Sequence, residues 1–144
     1  MPMKPRISLV TLGVHDIERA ADFYTRLGLV KSSEGNESVA FFQLHGGTVL
    51  ALYGRTDLAR DCGLEEAGMG FGGVTLAHNV PEKADVDRIT QEFAAAGARI
   101  LKPPHEVFWG GYIAYAADPD GHVWEIAYNP AWAPDETGGL TLPG

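Results

Sequence analysis

Leu12-Gly13-Val14-His15-Asp16-Ile17-Glu18-Arg19-Ala20-Ala21-Asp22-Phe23-Tyr24-Thr25-Arg26-Leu27-Gly28 is the stretch on which the fold turns. From Ile7 to Val14 the residues alternate as a strand does, with Val10, Leu12 and Val14 on one face and Leu9 and Thr11 on the other. Asp16 has the chemistry of an N-cap. Glu18 then places a negative charge in the first helical turn, where the helix dipole favours it. Ile17, Ala20, Ala21, Tyr24 and Leu27 fall at helical spacing and make one apolar stripe, and Gly28 follows as the usual stop. Beyond it, short strands are expected around Leu29–Ser32, Val39–Leu44 and Thr48–Tyr53, with Gly46-Gly47 as a turn.

The same order then recurs. Phe71–His78 reads as a strand and Pro81–Ala96 as a helix with Val86, Ile89, Phe93 and Ala96 on its apolar face, closed by Gly97. Arg99–Leu101 is expected as a short strand stopped by Pro103-Pro104. Gly111–Ala117 and Val123–Tyr128 are expected as a hairpin around Asp118-Pro119-Asp120-Gly121, which has turn chemistry at every position. The expected class is α+β: two βαβββ modules forming a cupped mixed β-sheet, with helices on the outer face. The expected layout is a single domain over 1–144, with module one at about 6–53 and module two at about 71–129. A linker over 54–70, rich in Gly and charge, and a C-terminal tail over 130–144 complete it.

Composition narrows the classes of partner. The chain has 144 residues, 45% of them hydrophobic and 21% charged, with a net charge of -8. That charge disfavours nucleic acid and anionic membranes, and no run of Lys or Arg offsets it. One cysteine, Cys62, permits no internal disulfide and no thiolate cluster, and it has no partner that would activate it. With no apolar stretch suited to a signal or a membrane span near Met1, a cytoplasmic location is expected.

The strand faces carry a functional clue. The helix-side faces are bulky, with Val10, Leu12, Leu50, Leu52, Val74, Leu76, Trp124, Ile126 and Tyr128. The opposite faces are small or mildly polar, with Thr11, Ala51, Gly73, Thr75, Ala77 and Ala127. Such a face resembles the inside of a cup with room for a ligand. Glu125 is the one charge read there, between Val123 and Ala127, and an acidic residue so placed is equally compatible with an ion pair at the rim.

The runs Leu12-Gly13-Val14 through Asp16, Ala21-Asp22-Phe23-Tyr24 and Leu27-Gly28, with Ala117-Asp118-Pro119-Asp120-Gly121-His122 leading to Glu125, resemble the vicinal oxygen chelate superfamily. Glyoxalase I, extradiol dioxygenases and the bleomycin, fosfomycin and mitomycin resistance proteins belong to it. The resemblance runs from about Arg6 to Asn129 and specifies fold better than activity. It implies four metal positions in the superfamily's metalloenzymes, which fall here on Leu9, Ala51, Gly73 and Glu125. Only Glu125 offers a donor, and one carboxylate does not make a transition-metal site. The expectation is no metal and no cofactor. A displaced site using His105 with Glu125 is a weaker alternative; His15, His45, His78 and His122 read as surface, corner or turn residues.

Trp109, followed by Gly110-Gly111, resembles a position in drug-binding members of the superfamily where aromatics sandwich a planar ligand; an interface or a core cap suits Trp109 equally well and Phe108 better. Pairing Ala114 with Glu125 across the turn would turn Tyr112 toward the cup. Gln43 and Tyr53 are further expected walls, Gln43 on polarity and Tyr53 on the alternation of Ala51. The expected ligand residues are therefore Gln43, Tyr53, Trp109, Tyr112 and Glu125. The leading expectation is a homodimeric protein that binds, sequesters or confers resistance to a small organic molecule without metal. The alternative is a metal-independent lyase or isomerase of the glyoxalase-like class with Glu125 as general base.

Overall fold

Asp16 caps the first helix as its chemistry requires: its carboxylate accepts the Arg19 amide at 3.1 Å. In the computed structural model, which describes residues 5–66, 71–72 and 74–142, strand β1 (Leu9–Val14) leads into helix α1 (Ile17–Arg26). Leu27 ends α1, and Gly28 takes the left-handed conformation with φ 104. Strands β2 (Lys31–Asn36), β3 (Val39–Gln43) and β4 (Val49–Gly54) follow, with a 3-10 turn at His45–Gly47. The second set is β5 (Thr75–Asn79), α3 (Lys83–Ala96), β6 (Arg99–Glu106), β7 (Tyr112–Ala117) and β8 (Val123–Tyr128). Between the sets, Arg55–Cys62 forms a helix, α2, ended by left-handed Gly63, in the stretch expected as linker.

The chain forms two compact units, residues 1–66 and 67–144. Each holds one four-stranded mixed sheet, ordered β1-β4-β3-β2 in the first and β5-β8-β7-β6 in the second. In both, the first and last strands pair parallel and the remaining pairs are antiparallel. This is the α+β fold of two βαβββ modules.

In the first unit the sheet face under α1 buries Leu12, Val14, Ala40, Phe42, Leu50 and Leu52 against Ala20, Ala21, Phe23 and Tyr24. Phe23 meets Tyr24 edge-on at 4.9 Å, and Tyr24 lies 6.3 Å from Phe42. Each such large side chain contributes about 1.5–3 kcal/mol of burial. Helix α2 sits on the other face. A Cβ on Gly13, which shares the alternation of Leu9 and Thr11, would stand 3.3 Å from Leu58 Cδ2.

In the second unit Val86, Thr90, Phe93 and Ala96 of α3 are buried beside β6, β7 and β8, and Phe93 meets Trp124 at 6.1 Å. Strand β6 does not stop before Pro103-Pro104. It runs on to Glu106 as an edge strand, and both prolines fall between Lys102 and His105, where the pairing with β7 slips and a missing N–H is tolerated. Its pairing with β7 slips twice, between Ile100 and Lys102 and between Lys102 and His105.

Candidate functional site

The connection between β7 and β8 decides which side chains face one another. Asp118 N–H donates to the His122 carbonyl at 2.9 Å, and the buried Asp118 carboxylate accepts the Asp120 and His122 amides and meets His122 Nδ1 at 2.9 Å. The loop therefore includes His122, one residue beyond the expected turn, and the register becomes Ala117↔Val123, Tyr115↔Glu125, Ile113↔Ala127. Glu125 faces Tyr115, not Ala114. The Tyr115 hydroxyl donates to Glu125 Oε2 at 2.7 Å.

This register corrects the orientation expected for Tyr112. It pairs with Tyr128 on the helix side, where its hydroxyl donates to Asp87 of α3 at 2.8 Å. The hydrogen bond to Asp87 holds the phenol above its usual range, burial adding to it. Lys83 lies over the Tyr112 ring at 5.1 Å and pairs with Glu106. Tyr112 thus locks α3 to the hairpin.

On the face away from α3, the register arranges three rows. Arg99, Ala117, Val123 and Thr75 form one; Lys102, Tyr115, Glu125 and Ala77 the next; His105, Ile113, Ala127 and Asn79 the third. Ile113, Ala117 and Ala127 make a buried floor, Tyr115 and Glu125 are half-buried above it, and Ala77 is exposed beside Glu125. Tyr115 is held above the ordinary phenol value chiefly by its bond to Glu125, with burial and the carboxylate's charge acting the same way. Glu125 Oε1 accepts no hydrogen bond from the described residues. The pair presents one occupied and one available carboxylate oxygen, which suits a ligand N–H or O–H.

Trp109 also belongs to this face. Gly111 continues the alternation of Ile113 and Tyr115, and a Cβ there would collide with the six-membered ring of Trp109. The ring lies over Gly111, beyond the third row, and keeps 45% of its surface exposed. Phe108, at the tip of the same loop, is fully exposed.

Gln43 and Tyr53 stand on the first unit's face away from α1, opposite Val49 and Val39. Gln43 Nε2 donates to the Leu44 and Thr48 carbonyls at 3.2 and 3.4 Å. Tyr53 is hydrogen-bonded to Asp61 of α2, and that bond and charge hold its phenol above the usual value. The α2 helix, absent from the sequence reading, therefore already engages one expected ligand residue.

The donor chemistry does not fit the superfamily's metal. Of the positions that resemble its ligands, Leu9 and Ala51 carry hydrocarbon side chains; Gly73 has none and lies outside the described residues. His105 shares a face with Glu125, but β7 separates them, and its Nδ1 donates to the Pro103 carbonyl at 2.8 Å. Among the described residues no three His, Cys, Asp or Glu side chains gather where they could hold a metal ion. No helix among them is long and apolar enough to cross a membrane.

Comparison with known proteins agrees with this architecture. A glyoxalase-related enzyme from Fulvimarina pelagi superposes with a TM-score of 0.87 at 34% identity, covering 98% of this chain and 100% of that one. A lactoylglutathione lyase from Agrobacterium tumefaciens shares the fold, with a TM-score of 0.67 at 24% identity over 88% of this chain and 96% of that one. An uncharacterised protein of Mycobacterium bovis is 30% identical over 124 residues, covering 80% of this chain and 78% of its own length. Residues 6–126 match the family profile described as the Glyoxalase/Bleomycin resistance protein/Dioxygenase superfamily, and the chain belongs to that superfamily.

Proposed function

We propose that the protein binds a small organic molecule on the second unit's sheet face away from α3, and that it does so without the superfamily's metal. The observation that carries this reading is the Tyr115–Glu125 pair: a half-buried carboxylate held by one hydroxyl, with no described residue bonded to its second oxygen, beside a floor of Ile113, Ala117 and Ala127. A polar group converging on a small-residue surface is what orients a ligand in a mostly apolar site. The metal-free part rests on Leu9, Ala51 and Gly73, which supply no donor atom. Homodimer formation is part of the same proposal, because each sheet has edge strands, β2 and β6 among them, that a second copy could cover.

Native mass spectrometry after gentle purification tests all three parts together. The expected result is a dimer that retains a small organic molecule and no stoichiometric transition metal. A monomer, or one metal ion per chain, would overturn the corresponding part. Glu125→Gln should release the molecule, and retention at full occupancy would remove Glu125 from the site.

A second reading has its own support. The Fulvimarina relative is described as a glyoxalase-related enzyme, and here Tyr115 fixes Glu125 as a base must be fixed to take a proton from carbon. In that case deuterium from the solvent should enter a C–H position of the retained molecule, and Glu125→Gln should stop the exchange. No exchange with the native protein would leave the binding reading alone.

A further inference from the structure

We propose that the molecule taken by this face is an organic anion that also carries a hydrogen-bond donor, its acidic group meeting Lys102 and Arg99 and its donor meeting Glu125. The inference rests on the reading of that face as the ligand site and adds the class of ligand.

A strand without irregularity would alternate Arg99, Leu101, Pro103 and His105 on one face and put Lys102 on the other. The slip between Ile100 and Lys102 turns Lys102 to the face of Tyr115, and the second slip returns His105 to the face of Ile113. The two irregularities thus bring Arg99, Lys102 and His105 to one side. Bulges of this kind re-aim side chains and are common beside functional sites.

Charge gives an independent reason. Residues 67–144 contain four Lys and Arg side chains: Lys83, Arg88, Arg99 and Lys102. The two associated with α3 are paired, Lys83 with Glu106 and Arg88 with Asp85 and Glu92 at 3.1 and 3.2 Å. Arg99 and Lys102 make no ion pair with any described residue, in a chain with a net charge of -8. Where carboxylates are abundant, two exposed cations left unpaired on the same face as the Tyr115–Glu125 pair form an edge complementary to an anion.

The row also sets a size. Lys102, Tyr115 and Glu125 lie on three adjacent strands, so the outer two backbones are about 10 Å apart. One aromatic ring or a short chain between an acid and a donor fits that interval. Since His105 donates from Nδ1 to Pro103, its Nε2 is the atom left to face the ligand.

Full-length ¹⁵N-labelled protein titrated with 4-hydroxybenzoate, and separately with its neutral isostere 4-hydroxybenzamide, tests the inference. The anion should shift the amides of Ala77, Lys102, Tyr115 and Glu125 and bind more tightly than the amide. Lys102→Glu should weaken binding of the anion by about tenfold, an attraction exchanged for a repulsion, and leave the amide unaffected. Lys102→Met should give a smaller loss, and Lys83→Glu none. Equal binding of the two probes, or indifference of the anion to Lys102→Glu, would overturn the anion inference and leave the site standing. Shifts from neither probe on this face would overturn both.

Discussion

Tyr115 Oη stands 2.7 Å from Glu125 Oε2, across the β7–β8 pair that the Asp118–His122 loop puts in register. The bond makes each side chain a reporter on the other. Tyr115 holds its proton above the ordinary phenol value because the hydroxyl donates to a carboxylate, burial acting the same way. The unfolded chain therefore loses that proton first, and this contribution to stability is complete below pH about 10 and falls as pH rises further. In a titration of ¹³C-labelled tyrosines, the Tyr115 midpoint should move down in Glu125→Gln. An unchanged midpoint would mean that the carboxylate is not its partner.

Alanines on the same face separate space for a ligand from packed floor. Ala77, exposed beside Glu125, should accept leucine within about 0.5 kcal/mol of native stability, and the new side chain should block binding. Ala127 is only 2% exposed, so leucine there should overpack the floor at about 1–3 kcal/mol. Urea melts of the two variants beside ligand titration check the pair; equal destabilisation would show that no space is left at Ala77.

His78 answers to pH in the acid range. It pairs with Ile126 on the helix side, where burial lowers its pKa from 6.5 and Arg88 lowers it further, against an opposing effect of Glu92. The folded protein prefers the neutral ring. This contribution is present above pH 6.5 and is lost as pH falls below it, because the unfolded chain then takes up the proton more readily. The residue is exposed at the surface, so solvent screening keeps the effect small. His78→Gln should flatten the dependence of unfolding free energy between pH about 7 and about 5. Parallel curves for the two proteins would assign the acid sensitivity elsewhere.

What the residue pattern revealed, and what it hid, follows from the range of each signal. The β1–α1 unit was legible because the alternation of Val10, Leu12 and Val14, the Asp16 cap and the Gly28 stop are local and agree with one another. Helix α2 was not, since Arg55–Cys62 has Leu58 and Ala59 among charged residues and no apolar stripe; its seat over Gly13 is a tertiary feature. Glu125 was legible as a charge on a small-residue face. Its partner was not, because one added loop residue exchanges Ala114 for Tyr115. Lys102 was hidden for the same kind of reason: simple alternation assigns it to the wrong side of a strand whose pairing slips beside it.

Metal removal tests the donor argument directly. With hydrocarbon at Leu9 and Ala51 and no side chain at Gly73, a chelator should leave the melting temperature unchanged. Elemental analysis of untreated protein should find no stoichiometric zinc, nickel, manganese or iron. A chelator-dependent fall in melting temperature would show that other residues hold a metal.

Trp109 stands at the end of the face. Trp109 reaches it only because Gly111 has no Cβ, and left-handed Gly110, with φ 91, turns the loop that delivers the ring. An aromatic so placed can stack on a planar ligand that reaches Glu125. Trp109→Ala should then weaken binding by about 1–3 kcal/mol. Gly111→Ala should do the same with the indole still present, since the added methyl occupies the ring's place and drives it toward solvent. The two variants differ in tryptophan emission: Gly111→Ala should shift it to longer wavelength, whereas Trp109→Ala should remove one of three emitters. Loss of affinity in both variants would identify the stacked ring as the ligand's anchor. Unchanged affinity in both would leave Trp109 as a cover for the Gly111 backbone and nothing more.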